Sequence, residues 1–322
     1  LRVSLFARCC SSAESCLYRG RAGTVAAAPP GMSPPYSAYM GRFAPSPSGP
    51  LHIGSLVTAL ASYLDARANR GQWLLRMEDI DPPREQAGAA QQIINSLISH
   101  GLIWDGDIFW QSQRSAAYDT YLQQLLDNNL AYYCNCSRRQ LAPKHGLHIG
   151  ACRHPGSPGS SAIRLRTPNE TIHFEDRIQG NQSRAQADIG DPVLKRKDGL
   201  YAYQLAVVVD DAEQGVTDIV RGVDLLDATA WQIHLQNTLG LPPVRYCHIP
   251  VIVGSDGHKL SKQSFAPALD DSRATDNLRS ALHYLQQSPP PDTLTDSTAL
   301  LTWATAHWRP QDIPASRHID AV

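Results

Sequence analysis

Arg42-Phe43-Ala44-Pro45-Ser46-Pro47-Ser48-Gly49-Pro50-Leu51-His52-Ile53-Gly54-Ser55 carries the residues to end a strand, turn tightly and open a helix. Three prolines and Gly49 make the turn, and Pro50 stands where a chain entering a helix tolerates a missing donor. Residues 54–71 read as that helix, with Leu56, Leu60, Tyr63 and Leu64 along one stripe. A helix N-terminus leaves backbone N–H groups without intrahelical partners and carries partial positive charge, so it holds phosphate readily. His52, expected in the first turn, would stand beside an α-phosphate and donate to charge developing there. Gly54 has no Cβ, so an adenine ring or ribose could pack flat against the backbone. Taken alone, the stretch also fits a proline-rich turn with an incidental histidine.

A second segment changes that balance. Lys259-Leu260-Ser261-Lys262 places two cations in a polar loop after an apolar strand. With the first segment it describes a clamp for a nucleoside triphosphate: a helix N-terminus on one side and a lysine loop on the other.

Around these two segments, strands and helices alternate. Strands are expected at residues 39–44, 73–77 and 131–134, and helices at 53–70, 84–100 and 115–128. In the second helix Ile93, Ile94, Leu97 and Ile98 are expected to face inward. This spacing indicates an α/β fold, a Rossmann-type parallel sheet with helices on both faces. Ligands of such sheets bind beyond the C-terminal ends of the strands, where residues 42–52 and Glu78 fall. Residues 135–195 are polar and glycine-bearing, with short strands at 162–166 and 172–176, and read as an insertion. The alternation resumes with strands at 201–210, 218–221 and 248–253 and a helix at 225–239. The expected domains are a leader (1–38), the first half of the sheet (39–134), the insertion (135–195), the second half with the lysine loop (196–270) and a short helical tail (271–322). In that tail a proline-rich break at 288–292 separates two helices.

Composition limits the function classes. The chain has 322 residues, 42 % of them hydrophobic, and a formal net charge of −1. That charge argues against holding nucleic acid by bulk electrostatics, although a local basic groove is compatible with it. No apolar run approaches the roughly 18 residues of a membrane span, so no membrane partner is expected. Residues 1–38 hold four arginines, one acid (Glu14) and three cysteines without sustained periodicity. They read as a disordered leader: an organelle transit segment or, the preferred reading, upstream sequence ahead of a start at Met32 or Met40. A reduced, cytoplasmic protein is expected.

Three of the four cysteines outside the leader, Cys134, Cys136 and Cys152, sit among His145, His148 and His154. Thiolate and imidazole are the donors zinc prefers, in closed tetrahedral sites when the role is structural. The Cys-x-Cys spacing is tighter than the common one, and three reduced cysteines can also bind nothing. Cys247, on an apolar strand, reads as an ordinary core residue.

The His-Ile-Gly and Lys-Leu-Ser-Lys segments resemble the two signature motifs of class I aminoacyl-tRNA synthetases. The long version from Arg42 to Gly54, followed by Arg76-Met77-Glu78-Asp79-Ile80-Asp81, is similar to the glutamate-specific branch. The resemblance covers residues 39–270. Ser55 stands where the broader class has a second histidine, which the glutamate branch usually lacks. The resemblance implies catalysis by His52, Lys259 and Lys262, ATP contacts from His52, Gly54 and Lys262, and magnesium bound with ATP. It implies an L-glutamate pocket in which Glu78 takes the ammonium, Arg42, Tyr203 and Arg221 share the carboxylates, and Ala44 and Ser46 line the turn. It also implies a structural zinc on Cys134, Cys136 and Cys152. The fourth ligand falls at residue 148, where the family's tyrosine is replaced by His148, with His145 and His154 as competitors. Sixty residues follow Lys262, too few for the anticodon-reading domains of a full-length member. The resemblance is therefore to shortened members that attach glutamate to queuosine in the anticodon loop of tRNA(Asp); a monomer is expected. A truncated enzyme charging a tRNA 3′ end and a non-catalytic tRNA-binding relative are the alternatives. The second is disfavoured by the intact set of site residues.

Overall fold

The computed structural model describes residues 38–254, 260 and 267–321. Residues 1–37, which make up almost all of the expected leader, together with Lys259 and Lys262, lie outside the described residues. The first half runs β1 (Met40–Phe43), α1 (Ile53–Ala68), β2 (Gln72–Met77), α2 (Ala89–Ser99), β3 (Phe109–Trp110) and α3 (Ser115–Asp127). Then come β4 (Ala131–Cys134), α4 (Arg138–Leu141), β5 (Ala162–Leu165), β6 (Thr171–Asp176), β7 (Gly180–Ala185), α5 (Gln186–Ile189) and β8 (Val193–Lys195). The remainder is α6 (Tyr203–Glu213), β9 (Asp218–Gly222), α7 (Leu226–Leu239), β10 (Arg245–Ile249), β11 (Val251–Val253), α8 (Ala274–Tyr284), α9 (Ser297–Ala306) and β12 (His318–Asp320).

β1 pairs in parallel with β2, and β2 with β3, while β9 pairs in parallel with β10. The two groups meet where Thr217 N–H donates to the Met40 carbonyl and Met40 N–H to Thr217 Oγ1, which sets β1 beside β9. The spatial order β3-β2-β1-β9-β10 is that of a doubly wound sheet, whose chain reverses direction of build between β1 and β9. A crevice opens at that reversal. α1 covers the sheet there, with Leu56, Leu60 and Leu64 fully buried; each such side chain is worth about 1.5–3 kcal/mol. Tyr63 completes the stripe edge-on to Trp73, ring centroids 5.2 Å apart. The return from α1 to β2 requires Gly71, because a Cβ there would lie 2.4 Å from the Tyr39 carbonyl oxygen.

Several expected elements differ. α2 starts at Ala89 and not at 84, since Pro82–Arg84 forms a separate 3-10 turn and Gly88 adopts φ +79. Its inward stripe is Ile93 and Leu97, with Ile94 partly covered; Ile98 is 51 % exposed, being turned about 100° from Leu97. β4 does not return to the parallel sheet. It pairs antiparallel with β5, which pairs with β8, so a separate small sheet begins before residue 135. The insertion is not detached either: its β6 joins the edge of the main sheet in parallel with β10 and carries β7 along. The expected strand at 201–210 is the helix α6. Its run Leu205–Val209 is buried throughout, and a short apolar run surrounded by protein has no period that tells strand from helix. The expected strand at 248–253 is two strands, because Pro250 has no N–H for the ladder. β11, after it, pairs in parallel with β12 from the tail. The tail helices α8 and α9 flank the proline-rich segment and bury Leu278, Leu282, Leu300 and Leu301 in the main core, which also holds Cys247. Among the described residues no helix is long and apolar enough to cross a membrane.

Asp65, on α1 and fully buried, ties three separate parts of the chain together. It accepts hydrogen bonds from Tyr39 Oη, from both terminal nitrogens of Arg177 at 2.6 and 2.9 Å, and from Trp308 Nε1. Removing one partner of a buried, fully bonded ion pair strands the other. Asp65→Ala is therefore expected to cost about 3–5 kcal/mol in denaturant unfolding. Asp227→Ala, which breaks exposed pairs with Arg184 and Arg317, is expected to cost under about 1 kcal/mol.

Candidate functional site

The crevice at the strand reversal holds a cavity of about 320 Å³. One wall is the turn after β1 and the start of α1, including Ser46, His52 and Gly54; the other comes from Gly222 at the end of β9 and Asp224 and Leu225 after it, with Val251 and Ile252 of β11. His52 is the N-cap of α1, one position before the first turn, and its Nδ1 accepts the Ser55 N–H at 3.3 Å. The neutral ring accordingly carries its proton on Nε2. Gly54 lines the cavity, and an added Cβ there would stand 3.1 Å from His52 Cε1. Leu260 also lines the cavity, its N–H donated to the Ile252 carbonyl, so the one described residue of the lysine segment lies against the site.

Beside this cavity sits a buried cluster of charge. Asp211, on α6, accepts Arg42 Nε at 3.0 Å from β1 and Arg76 NH1 at 2.8 Å from β2. Arg76 also reaches Glu78 at 3.4 Å, and all four side chains are at most 7 % exposed. The Arg42 and Arg76 guanidiniums outweigh burial and hold Asp211 below the usual carboxylate range. Glu78 behaves oppositely. Burial lifts it to about 7, and Asp211 adds to the rise, against the opposing pull of Arg76 and Arg42. Its backbone N–H donates to the Pro45 carbonyl, which fastens the cluster to the cavity's turn.

Arg221, next to last in β9, is 4 % exposed and forms the other side of the cluster. Its Nε donates to His248 Nε2 at 3.0 Å, and NH2 donates to Thr229 Oγ1 at 2.9 Å and Gln232 Oε1 at 2.7 Å. NH1 lies 3.5 Å from the hydroxyl of Tyr203, the first residue of α6. Burial raises the Tyr203 phenol and keeps it neutral. Tyr203 and Arg221 are thus brought together although the tyrosine is helical and not in a strand. Ser46 lines the cavity, whereas Ala44 belongs to the same turn without lining it.

Apart from this crevice, Cys134, Cys136, His148 and Cys152 place one ligand atom each within 4.8 Å of one another. β4 ends in the first cysteine, and Cys136 N–H donates back to Cys134 Sγ at 3.4 Å. The thiols of Cys136 and Cys152 are 3.9 Å apart. Burial pushes the Cys134 thiol up, but hydrogen bonds from Cys136, Cys152 and Arg164 outweigh it and leave Cys134 below the usual thiol value. Burial raises Cys152 to about 11. His148 Nδ1 lies 2.9 Å from Tyr132 Oη, which donates to Asp191 Oδ2 at 2.7 Å. Nδ1–H therefore donates to the tyrosine oxygen, and the Nε2 lone pair is the imidazole donor offered to a metal. Arg164 lies against the cluster with its buried Nε making no hydrogen bond, a cation suited to the net negative charge of a three-thiolate metal centre. His145 and His154 stay outside: both are exposed, and His154 Nε2 bonds Gln140. The donor set fits a closed tetrahedral metal site.

Sequence reasoning missed Asp211, Arg76 as an ion-pair partner, His248 and its neighbour Asp176, and Asp224 in the cavity wall. One signal was present: Asp210 and Asp211 end an apolar run, where acids are seldom left unpaired.

The family model described as tRNA synthetases class I (E and Q), catalytic domain, matches residues 40–286. The protein called glutamyl-Q tRNA(Asp) synthetase in Pseudomonas syringae pv. syringae is 54 % identical over 288 residues, 88 % of this chain and 97 % of the relative. Its namesake in Pseudomonas fluorescens is 53 % identical over 281 residues, 86 % of this chain and 94 % of the relative. Among solved structures, a glutamate tRNA ligase from Elizabethkingia meningosepticum in complex with its amino acid superposes with a TM-score of 0.73 at 23 % identity. That match covers 87 % of this chain and 66 % of the ligase. The glutamate-tRNA synthetase of Elizabethkingia anophelis gives 0.74 at 22 % identity, over 88 % of this chain and 68 % of the other; both likenesses speak to the fold. With a nucleotide-sized crevice at the sheet reversal and a buried arginine cluster beside it, the chain belongs to the class I tRNA synthetases of the glutamate and glutamine type.

Proposed function

We propose that the chain activates L-glutamate with ATP to glutamyl-adenylate and transfers the glutamyl group to queuosine in the anticodon loop of tRNA(Asp). The observation that carries the activation step is a charge imbalance. Among the described residues, Asp211 and Glu78 are the carboxylates in ion-pair contact with Arg42 and Arg76, and none contacts Arg221, which leaves one cation in excess beside the cavity of α1. Glutamate, with two carboxylates and one ammonium, supplies the single missing negative charge. Glutamine does not. The acceptor rests on the relatives of that name, which match this chain over 94–97 % of their own length.

The residues divide the work as follows. Glu78 takes the α-ammonium, and Arg221 with Tyr203 holds a carboxylate in the planar geometry a guanidinium offers. Arg42, spent in part on Asp211, contributes mainly charge. The α-carboxylate attacks the α-phosphate of ATP and pyrophosphate leaves; the nucleophile is ionised at neutral pH, so no general base is needed. His52 Nε2–H donates to charge developing on the α-phosphate, and Lys259 and Lys262 neutralise the leaving pyrophosphate. Catalysis is positioning plus charge stabilisation. Magnesium bound with ATP would supply further charge neutralisation at the phosphates. Zinc in the cysteine cluster is structural, with Cys134, Cys136, His148 and Cys152 as its ligands. A cytoplasmic monomer completes the reading, since tRNA, ATP and glutamate meet in that compartment.

Three outcomes are expected. An anticodon stem-loop carrying queuosine, without an acceptor stem, is labelled by radioactive glutamate and ATP, and periodate oxidation of its diols abolishes the label; label confined to the 3′ end of full-length tRNA refutes the acceptor. Glutamate affinity falls with pH, because only ionised Glu78 pairs with the ammonium. Below about pH 7 the dissociation constant rises roughly tenfold per unit, measured by calorimetry, and Glu78→Gln binds weakly with a flat profile. The same raised value has a sign for stability. Without substrate, Glu78 favours the folded state below its ordinary value of 4.5, and that contribution is lost as pH rises through about 7. Finally, elemental analysis finds one zinc per chain, and Tyr132→Phe, which strips His148 Nδ1 of its partner, weakens zinc binding roughly 10- to 100-fold against a chelating dye.

A further inference from the structure

The hydrogen bonds around Arg221 have a common property: every acceptor is neutral. Tyr203, His248, Thr229 and Gln232 surround it, and among the described residues no carboxylate stands within ion-pair distance. Arg42 and Arg76 are different, since each is tied to Asp211. A buried guanidinium is expensive to leave without a counter-ion, and this one keeps its charge unpaired while its geometry is held at four points.

The acceptor at Nε is His248, and what makes it an acceptor lies behind it. His248 is fully buried on β10, and its Nδ1 is 2.6 Å from Asp176 Oδ2 on β6 of the insertion. Asp176 Oδ1 is pinned by the backbone N–H groups of Ile178 and Gln179 at 3.0 and 2.8 Å, and the backbone N–H of His248 reaches both carboxylate oxygens. These bonds hold Asp176 below the usual carboxylate range against its burial. Burial and the nearby Arg221 charge lower His248 to about 4 despite Asp176, so the ring is neutral at physiological pH. A neutral ring that donates from Nδ1 to Asp176 must present a lone pair at Nε2, facing Arg221 Nε–H. In the other tautomer two N–H groups would face each other across 3.0 Å.

We infer that Asp176 and His248 form a positioning pair that fixes Arg221 through a neutral acceptor, leaving its charge for the side-chain carboxylate of glutamate and thereby setting discrimination against glutamine. The inference rests on the proposed glutamate activation and adds to it two residues that touch no substrate. It also gives the insertion a part in amino-acid selection, because Asp176 is the residue through which β6 pairs with β10.

The test is Asp176→Asn. With its carbonyl oxygen taken by the Ile178 and Gln179 N–H groups, the new amide turns NH2 toward His248 Nδ1. This forces the proton to Nε2, against Arg221. Exchange of pyrophosphate into ATP is expected to show the KM for glutamate raised roughly 10- to 100-fold, the KM for ATP within about twofold, and the glutamate-to-glutamine preference reduced at least tenfold. His248→Gln, whose amide can donate to Asp176 and accept from Arg221, retains the preference within about threefold. Long-range 15N–1H correlation spectra of the wild type read the tautomer independently of any variant, with the His248 proton expected on Nδ1. A proton on Nε2 in the wild type, or an unchanged amino-acid preference in a folded Asp176→Asn protein whose wild type activates glutamate, overturns the inference alone. A wild type that activates no glutamate overturns the functional reading and this inference with it.

Discussion

The carboxylate of Asp211, shared between Arg42 and Arg76 in the dry centre of the molecule, is the contact on which the rest depends. It joins two neighbouring strands to the helix α6 from the second half of the chain, across 169 and 135 residues of sequence. Two guanidiniums cannot be buried side by side without such a bridge, and a single carboxylate between them leaves the pair one charge short of neutral. Glu78 answers part of that excess, and burial there holds it near the midpoint of its titration at neutral pH. The cluster is consequently poised: ionisation of Glu78 and uptake of an anionic ligand are two answers to one electrostatic problem.

The cavity next door follows from different physics. A doubly wound sheet splays its loops apart where the strand order reverses, and here one lip of that opening is a helix N-terminus. His52 serves the helix and the opening at once. Its Nδ1 caps α1, which turns the opposite edge of the ring outward, and its bulk occupies the space that Gly54 vacates. A side chain at residue 54 would displace that ring, so the glycine also keeps the histidine in place.

Much of this was legible in the order of residues. The α1 stripe, the strand–turn–helix at 42–55 and the four candidate metal ligands depend on local spacing, and local spacing is what a sequence displays. His148 could be counted to from Cys136, although what supports it beside the cysteines is the Tyr132–Asp191 contact, contributed by a strand and a loop far apart in the chain. Tyr203 and Arg221 were paired by the resemblance even though the element under Tyr203 was misread. An apolar segment buried on all sides loses the periodicity by which helix and strand are told apart. Asp211, His248 and Asp176 were invisible for a related reason: a polar residue in an apolar stretch announces that it has a partner, but not which one.

Pro250 breaks the strand that leads from the Arg221 side of the cluster to the lysine segment, and the piece after the break has found a new neighbour in β12. Val251 and Ile252 face the nucleotide crevice from one side, while residues 318–320 brace them from the other. The last described turn of the chain is thus a buttress for the floor of the crevice. Deleting residues 318–320 would therefore take a brace away from a strand that lines the crevice, although none of the three lines it itself.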